Sequence, residues 1–347
     1  MSAGPNIVVL GAGAVGCFIG GAWHAAGLNV SFVGRDNVAR DVREHGINLS
    51  DLDGWSARIP PAELSFSTKP AVLAKADIVL LCVKSGGTEA AARQIALHAK
   101  KKPAVISFQN GISNVAVLQR LLPKLKIVRA MVPFNVAYRG AGRWHKGVGG
   151  TLMAADAAAT RMLADRLTAG PARLELATDM ESVAWGKLLL NLNNAVNALS
   201  GRTLLEELRE RDYRRVLAAS MVEALELLAK AGIQPAQLGP IPPKLLPHAI
   251  AAPDFIFKNL LLRVQKIDDK ARSSMLDDLE AGRATEIDYL NGEVVALARR
   301  LGATAPVNGA IVELVKQREA GVEHLWSPEN LRKYVLEGHR GVGLFGY

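Results

Sequence analysis

One short segment limits the possible folds more than any other: Gly11-Ala12-Gly13-Ala14-Val15-Gly16. It directly follows Asn6-Ile7-Val8-Val9-Leu10, an uncharged apolar run of the kind found in strands buried on both faces. It opens a helical stretch that reaches Gly27, where a C-cap fits. Strand, glycine loop and helix in that order form a dinucleotide-binding fingerprint. The first glycine permits the tight turn, the second lets backbone approach a pyrophosphate, and the third allows close helix–strand packing. The helix start then offers N–H groups and a positive dipole end to phosphates.

The same segment answers a second question. No Asp, Glu, Lys or Arg occurs in the first 34 residues. A signal peptide needs a basic start, and Met1 to Asn6 has none. A membrane span needs ~20 uninterrupted apolar residues, and Gly11, Gly13, Gly16, Gly20, Gly21 and Gly27 break the stretch. The missing charges are expected of a buried strand, a backbone cradle and a packed helix. A cytoplasmic location follows as the expectation, as does the absence of a membrane partner.

Further strands are expected at Asn29 to Val33, Asp77 to Val83, Ala104 to Gln109 and Ile127 to Val132, with helices at Ala90 to Ala99 and Val115 to Leu122. That alternation argues a parallel α/β sheet. Past Thr178-Asp179 the period becomes helical throughout: Glu181 to Leu199, Leu204 to Ala231, Phe255 to Gln265, Ser273 to Arg300 and Val307 to Glu319. The expected organisation is a Rossmann-type dinucleotide-binding domain over residues 1–179 and an all-α domain over residues 180–347. Pro235 to Pro247 reads as a loop inside the second domain.

At 347 residues, 49% hydrophobic and 22% charged, the chain can bury two cores. Two cysteines, Cys17 and Cys82, exclude a disulfide scaffold or a cysteine-based zinc site, and no metal is expected. The net charge of +9 is scattered; its densest runs, Lys100 to Lys102 and Arg209 to Arg215, are short or interleaved with acids. Aromatics at 5% leave few stacking platforms, so a phosphate-bearing small molecule is preferred to nucleic acid.

Strand ends carry the ligand-facing residues in such sheets. The second strand ends Val33-Gly34-Arg35, with Asp36 next. Arg35 suits a 2′-phosphate, which an acid would repel, and Arg40 can support it; NADP(H) is therefore the expected cofactor, with Asp36 as the feature that would favour NAD. Cys82-Val83-Lys84 places Lys84 at the cofactor crevice, and Gln109-Asn110-Gly111 sets Asn110 toward the nicotinamide side.

In the second domain, Asn191, Asn193, Asn194 and Asn197 crowd an apolar helix although asparagine is a poor helix former. At 100° per residue, Asn191 lies about 40° and Asn194 about −20° from Lys187. A shared face of one ammonium and two amides should meet a polar ligand, a wet cleft or a satisfied polar network between helices. Partial burial would lower the lysine pKa toward the range a general acid needs. Ser273 to Asp278 reads either as a site segment or as an N-cap with first-turn acids, and Glu286 as a site carboxylate or a solvated helix start.

Taken in order, the glycine loop, Val83-Lys84, Gln109-Asn110-Gly111, Trp185-Gly186-Lys187 through Asn191, Ser273 through Asp278, and Thr285-Glu286 through Gly292 resemble the ketopantoate reductase (2-dehydropantoate 2-reductase) family over nearly the whole chain. The resemblance implies NADPH-dependent reduction of a 2-oxo acid to a 2-hydroxy acid, specifically 2-dehydropantoate in pantothenate biosynthesis. It implies Lys187 as the general acid and Glu286 as the residue that holds the substrate hydroxyl and orients Lys187. Asn191 and Ser274 would bind substrate, with Asn194 on the same face as Lys187 as the substitute for the family's second Asn, while Lys84 and Asn110 would line cofactor and reaction centre. One departure stands out: members commonly carry Asn-Pro where this chain has Ala195-Val196. The alternatives are a related dehydrogenase acting on another 2-oxo or β-hydroxy acid, and a non-catalytic NADP(H) sensor. The expected partner is a small 2-oxo acid; the oligomeric state stays open, with a homodimer as the candidate.

Overall fold

The computed structural model describes residues 4–261 and 271–338. The chain divides into two compact units, Met1–Met180 and Glu181–Tyr347. The first contains twelve strands: β1 (Ile7–Leu10), β2 (Val30–Val33), β3 (Ile47–Asp51), β4 (Ser56–Ile59), β5 (Ser65–Ser67), β6 (Ile78–Leu81), β7 (Ala104–Ser107), β8 (Ile127–Met131), β9 (Val136–Tyr138), β10 (Arg143–Lys146), β11 (Leu152–Ala155) and β12 (Leu174–Ala177).

Eight of them form the main sheet in the order β12-β11-β8-β7-β6-β1-β2-β5. From β8 through β5 all neighbours are parallel, whereas β11 meets β8 antiparallel. β1 and β6 are buried at every residue, which explains their uninterrupted apolar sequence. Their side chains alternate between two cores: Ile7 and Val9 join Phe18, Trp23 and Phe32 on one face, while Val8 and Leu10 join Leu73, Ile95 and Leu118 on the other.

The expected strands at β1, β2, β6, β7 and β8 are present. The sequence reading did not include β5, β11, β12 or a separate four-stranded sheet ordered β4-β3-β10-β9. The helix Ala14–Ala25 packs between the two sheets, burying residues from Gly16 through Trp23. A Cβ on Gly20 would stand 2.6 Å from the Phe32 ring, and one on Gly21 would stand 3.0 Å from Ile47 and Leu49. A helix packed on both sides has no place for charge, which accounts for the uncharged opening.

The second unit is helical among the described residues. Three long helices expected from the sequence are subdivided. Glu181 to Leu199 is two helices, Met180–Asn191 and Asn193–Ser200. Leu192 keeps helical angles (φ −58°, ψ −25°), so the break is a junction rather than a turn. Leu204 to Ala231 separates at Glu210, whose extended ψ of 115° ends Leu204–Arg209 and starts Arg211–Lys230. Ser273 to Arg300 becomes Ser274–Glu280, a short 3₁₀ turn at Ile287–Tyr289, and Asn291–Arg300. Gly282, at φ +62°, lies just past the first of these and takes the left-handed conformation common beyond helix ends. The expected helix at Phe255 to Gln265 extends beyond the described residues, as does the end of the tail from Leu325 to Tyr347. Among the described residues no helix is long and apolar enough to cross a membrane.

Candidate active site

The glycine loop leaves β1 where neighbouring strands depart in opposite directions, β2 on one side and β6 on the other. That switch point is where ligands bind in doubly wound sheets. Each glycine has a separate steric reason. Gly11 takes φ +101°, and a Cβ there would stand 2.5 Å from the Val83 nitrogen. A Cβ on Gly16 would stand 2.4 Å from the Gly11 carbonyl oxygen, so the helix rests against its own loop. A Cβ on Gly13 would meet nothing within 4 Å. The middle glycine therefore faces open space at the N-cap of the helix Ala14–Ala25, an arrangement that fits a pyrophosphate cradled by the loop's backbone. Ala12 is buried and donates its N–H to Val33, while Ala14 and Val15 are half-buried in the first helical turn.

Arg35 is exposed and serves as N-cap of the helix Asp36–His45, at the carboxyl end of β2. Asp36 begins that helix, where a carboxylate favours the dipole. Arg40 is exposed one turn later. Lys84 is exposed after β6, and Asn110 is half-buried after β7.

A buried polar knot ties those two loops together. Ser85 Oγ donates to the Asn110 carbonyl at 3.0 Å, and Asn114 Nδ2 donates to the same carbonyl and to Ser85 Oγ. Thr88 Oγ1 lies 2.7 Å from both Ser85 O and Asn114 Oδ1 and accepts from Gln109 Nε2. Ser85, Thr88 and Asn114 are all buried. The sequence reading singled out Lys84 and Asn110 and missed these supports. Their only signal was a set of small polar residues just beyond two strand ends.

In the helical unit, Lys187 and Asn191 lie one turn apart on the helix Met180–Asn191. Lys187 is half-buried, and burial pulls its ammonium down to about 8. Gly186 is required beside it: a Cβ would stand 2.3 Å from the Ala236 carbonyl oxygen, and Ala236 N–H donates to Ser182. The proline-rich loop thus docks on the helix at the residue before Lys187.

The asparagine cluster divides by hydrogen-bond partner. Asn193 and Asn197 both donate to Glu207 Oε2 at 3.2 Å, and Asn197 also reaches the Arg202 carbonyl. These two form a helix–helix network. Asn194 is half-buried, and its carbonyl accepts from Ser273 Oγ at 3.1 Å. Ser273 N–H in turn donates to Asn197 Oδ1, and Ser273 caps the helix Ser274–Glu280 through Leu276. The cap belongs to Ser273, which leaves Ser274 exposed at the first helical position. Glu286 is half-buried immediately before the turn Ile287–Tyr289. Ala195 is wholly buried. Among the described residues no group of His, Cys, Asp and Glu side chains is placed to hold a metal ion.

Comparison with known proteins bears on both units. The family pattern described as ketopantoate reductase PanE/ApbA matches residues 7–157, and its C-terminal counterpart matches residues 179–319. A 2-dehydropantoate 2-reductase of Archaeoglobus fulgidus is 26% identical over 326 residues, spanning 91% of this chain and 99% of its own. One from Halobacterium salinarum is 27% identical, spanning 90% and 98%. Among solved structures, a PanE/ApbA family ketopantoate reductase from Ralstonia eutropha JMP134 superposes with a TM-score of 0.78 at 26% identity, covering 91% of this chain and 98% of that one. D-mandelate dehydrogenase, solved with NADH and anilino(oxo)acetate, shares the fold at a TM-score of 0.76 and 20% identity, covering 91% and 98%.

Proposed function

The chain belongs to the ketopantoate reductase family and is an oxidoreductase, and from that premise we propose that it reduces 2-dehydropantoate to pantoate with NADPH. The observation that carries this reading is Lys187, half-buried, one turn from Asn191, with its ammonium drawn down to about 8. Such a group is still mostly protonated at neutral pH yet releases its proton far more readily than an exposed lysine.

When bound, the reduced nicotinamide supplies the hydride. Gly11, Ala12, Gly13, Ala14, Val15 and Gly16 would hold its pyrophosphate, and Arg35 would pair with the 2′-phosphate. Lys84 and Asn110 would line the cofactor and the reaction centre. Lys187 stabilises negative charge as it develops on the 2-oxo oxygen and then delivers the proton there. Glu286 accepts a hydrogen bond from the substrate's hydroxyl and orients Lys187. Asn191, Asn194 and Ser274 bind the remaining polar groups of the substrate.

A second reading rests on Ala195. It occupies the place where family members commonly carry a substrate-side Asn, and here it is wholly buried and apolar. A 2-oxo acid with a different side chain would suit a site lacking that amide. Initial rates of NADPH and NADH oxidation over 2-oxo acids of graded size test both readings. The highest kcat/KM is expected for 2-dehydropantoate with NADPH. A larger value for another 2-oxo acid would shift the assignment to that substrate, and tight NADPH binding without turnover on any of them would make the chain a sensor.

A further inference from the structure

The segment 285–291, which carries Glu286, is held at three points by the single helix Pro306–Glu319. Near its start, Asn308 Oδ1 accepts from Asn291 Nδ2 at 3.0 Å, while Asn308 Nδ2 donates to Glu223 at 2.7 Å. Near its end, Lys316 Nζ lies 2.5 Å from Asp288 Oδ2. In the last turn, Glu319 Oε1 accepts from both the backbone N–H and the hydroxyl of Thr285, each at 2.7 Å.

The three contacts are not equivalent. Lys316 and Asp288 are well exposed, and ion pairs of that kind contribute little. Asn291 and Asn308 are wholly buried and tie helices together. Glu319 grips the residue directly before Glu286. The Thr285 hydroxyl that donates to Glu319 also accepts from Ile287 N–H at 3.2 Å. The residue before Glu286 is therefore fastened directly to the Glu319 carboxylate, and the N–H of the residue after it is fastened to the same carboxylate through the Thr285 hydroxyl. Charge assistance makes such bonds stronger and shorter than neutral ones.

We infer that Glu319 is a positioning residue that sets Glu286 for the substrate through Thr285, an inference that rests on the reading of Glu286 given above. Removing the clamp leaves the Glu286 carboxylate present but displaced. A displacement on the order of 1 Å costs on the order of 10²-fold in rate.

The test is a mutant cycle on the full-length enzyme, with 2-dehydropantoate and NADPH as probes. Glu319→Ala is expected to lower kcat/KM for the oxo acid by roughly 10–100-fold and to leave the NADPH dissociation constant unchanged. Glu319→Gln, which keeps an acceptor oxygen, should recover most of the loss. In a Glu286→Gln background the effect of Glu319→Ala should shrink to about twofold or less, because residues acting as a unit are not additive. Where Glu319→Ala fails to fold, Thr285→Val removes only the hydroxyl and should show the same masking. An undiminished effect in the Glu286→Gln background, or wild-type kinetics for Glu319→Ala beside an impaired Glu286→Gln, overturns the inference alone. Wild-type kinetics for Glu286→Gln overturns the role of Glu286, and this inference with it.

Discussion

Glu207 and Asn197 meet inside the helical unit, with Asn197 Nδ2 donating to Glu207 Oε2 across 3.2 Å and neither residue reaching solvent. Asn193 donates to the same oxygen, and among the described residues Glu207 Oε1 has no hydrogen-bond partner. Burial pushes this carboxyl up to about 8 despite the two amide donors. The folded value lies above the ordinary 4.5, so between those two pH values the folded chain keeps a proton that the unfolded chain has released. Stability should fall as pH rises through that window and level off beyond it. Glu207→Gln should match the wild type near pH 4 and exceed it at pH 8, by on the order of a few kcal/mol. Urea unfolding at the two pH values checks this; a difference independent of pH would exclude a buried neutral acid.

Lys187→Ala should lower kcat by about 10²–10⁴-fold, the usual worth of a positioned acid. NADPH affinity should barely change, since the glycine loop lies in the other unit. In the wild type, kcat/KM should fall as pH rises through about 8, where the buried ammonium loses its proton. Lys187→Arg should rescue poorly because a guanidinium does not give up its proton. Near-wild-type turnover in Lys187→Ala would reduce this lysine to a packing residue.

Arg35→Asp should shift preference from NADPH toward NADH, since the 2′-phosphate would lose a cation and meet a like charge. Loss of one charge-assisted contact implies a change of roughly 10–100-fold in the ratio of kcat/KM between the cofactors. An unchanged ratio would transfer the phosphate contact to Arg40.

Gly13→Ala and Gly16→Ala should separate binding from folding. A methyl at Gly13 enters open space, so thermal unfolding should stay put while NADPH titration shows weakened binding. A methyl at Gly16 strikes the Gly11 carbonyl oxygen, and overpacking of that kind costs about 1–3 kcal/mol in stability. Equal NADPH affinity in Gly13→Ala and the wild type would place the pyrophosphate elsewhere.

Much of this protein was legible in its sequence because the determining chemistry is local. The order of strand, glycine loop and helix specifies a turn whether or not the rest of the chain is known. The apolar runs of β1 and β6 announce burial on both faces. Lys187 and Asn191 share a face by helical period alone. What stayed hidden was short, polar or distant in sequence. β5 has three residues and no apolar pattern beyond Phe66. β3 pairs with β10 across nearly a hundred residues. That Asn193 and Asn197 form a network between helices depended on where Glu207 came to lie. The bonds of Asn114 to Ser85 in the first unit and of Glu319 to Thr285 in the second likewise join segments that only the folded chain brings together. Periodicity reports which face of an element is buried; it does not say what that face is buried against. The residue types were therefore set by the sequence, and their partners by tertiary packing.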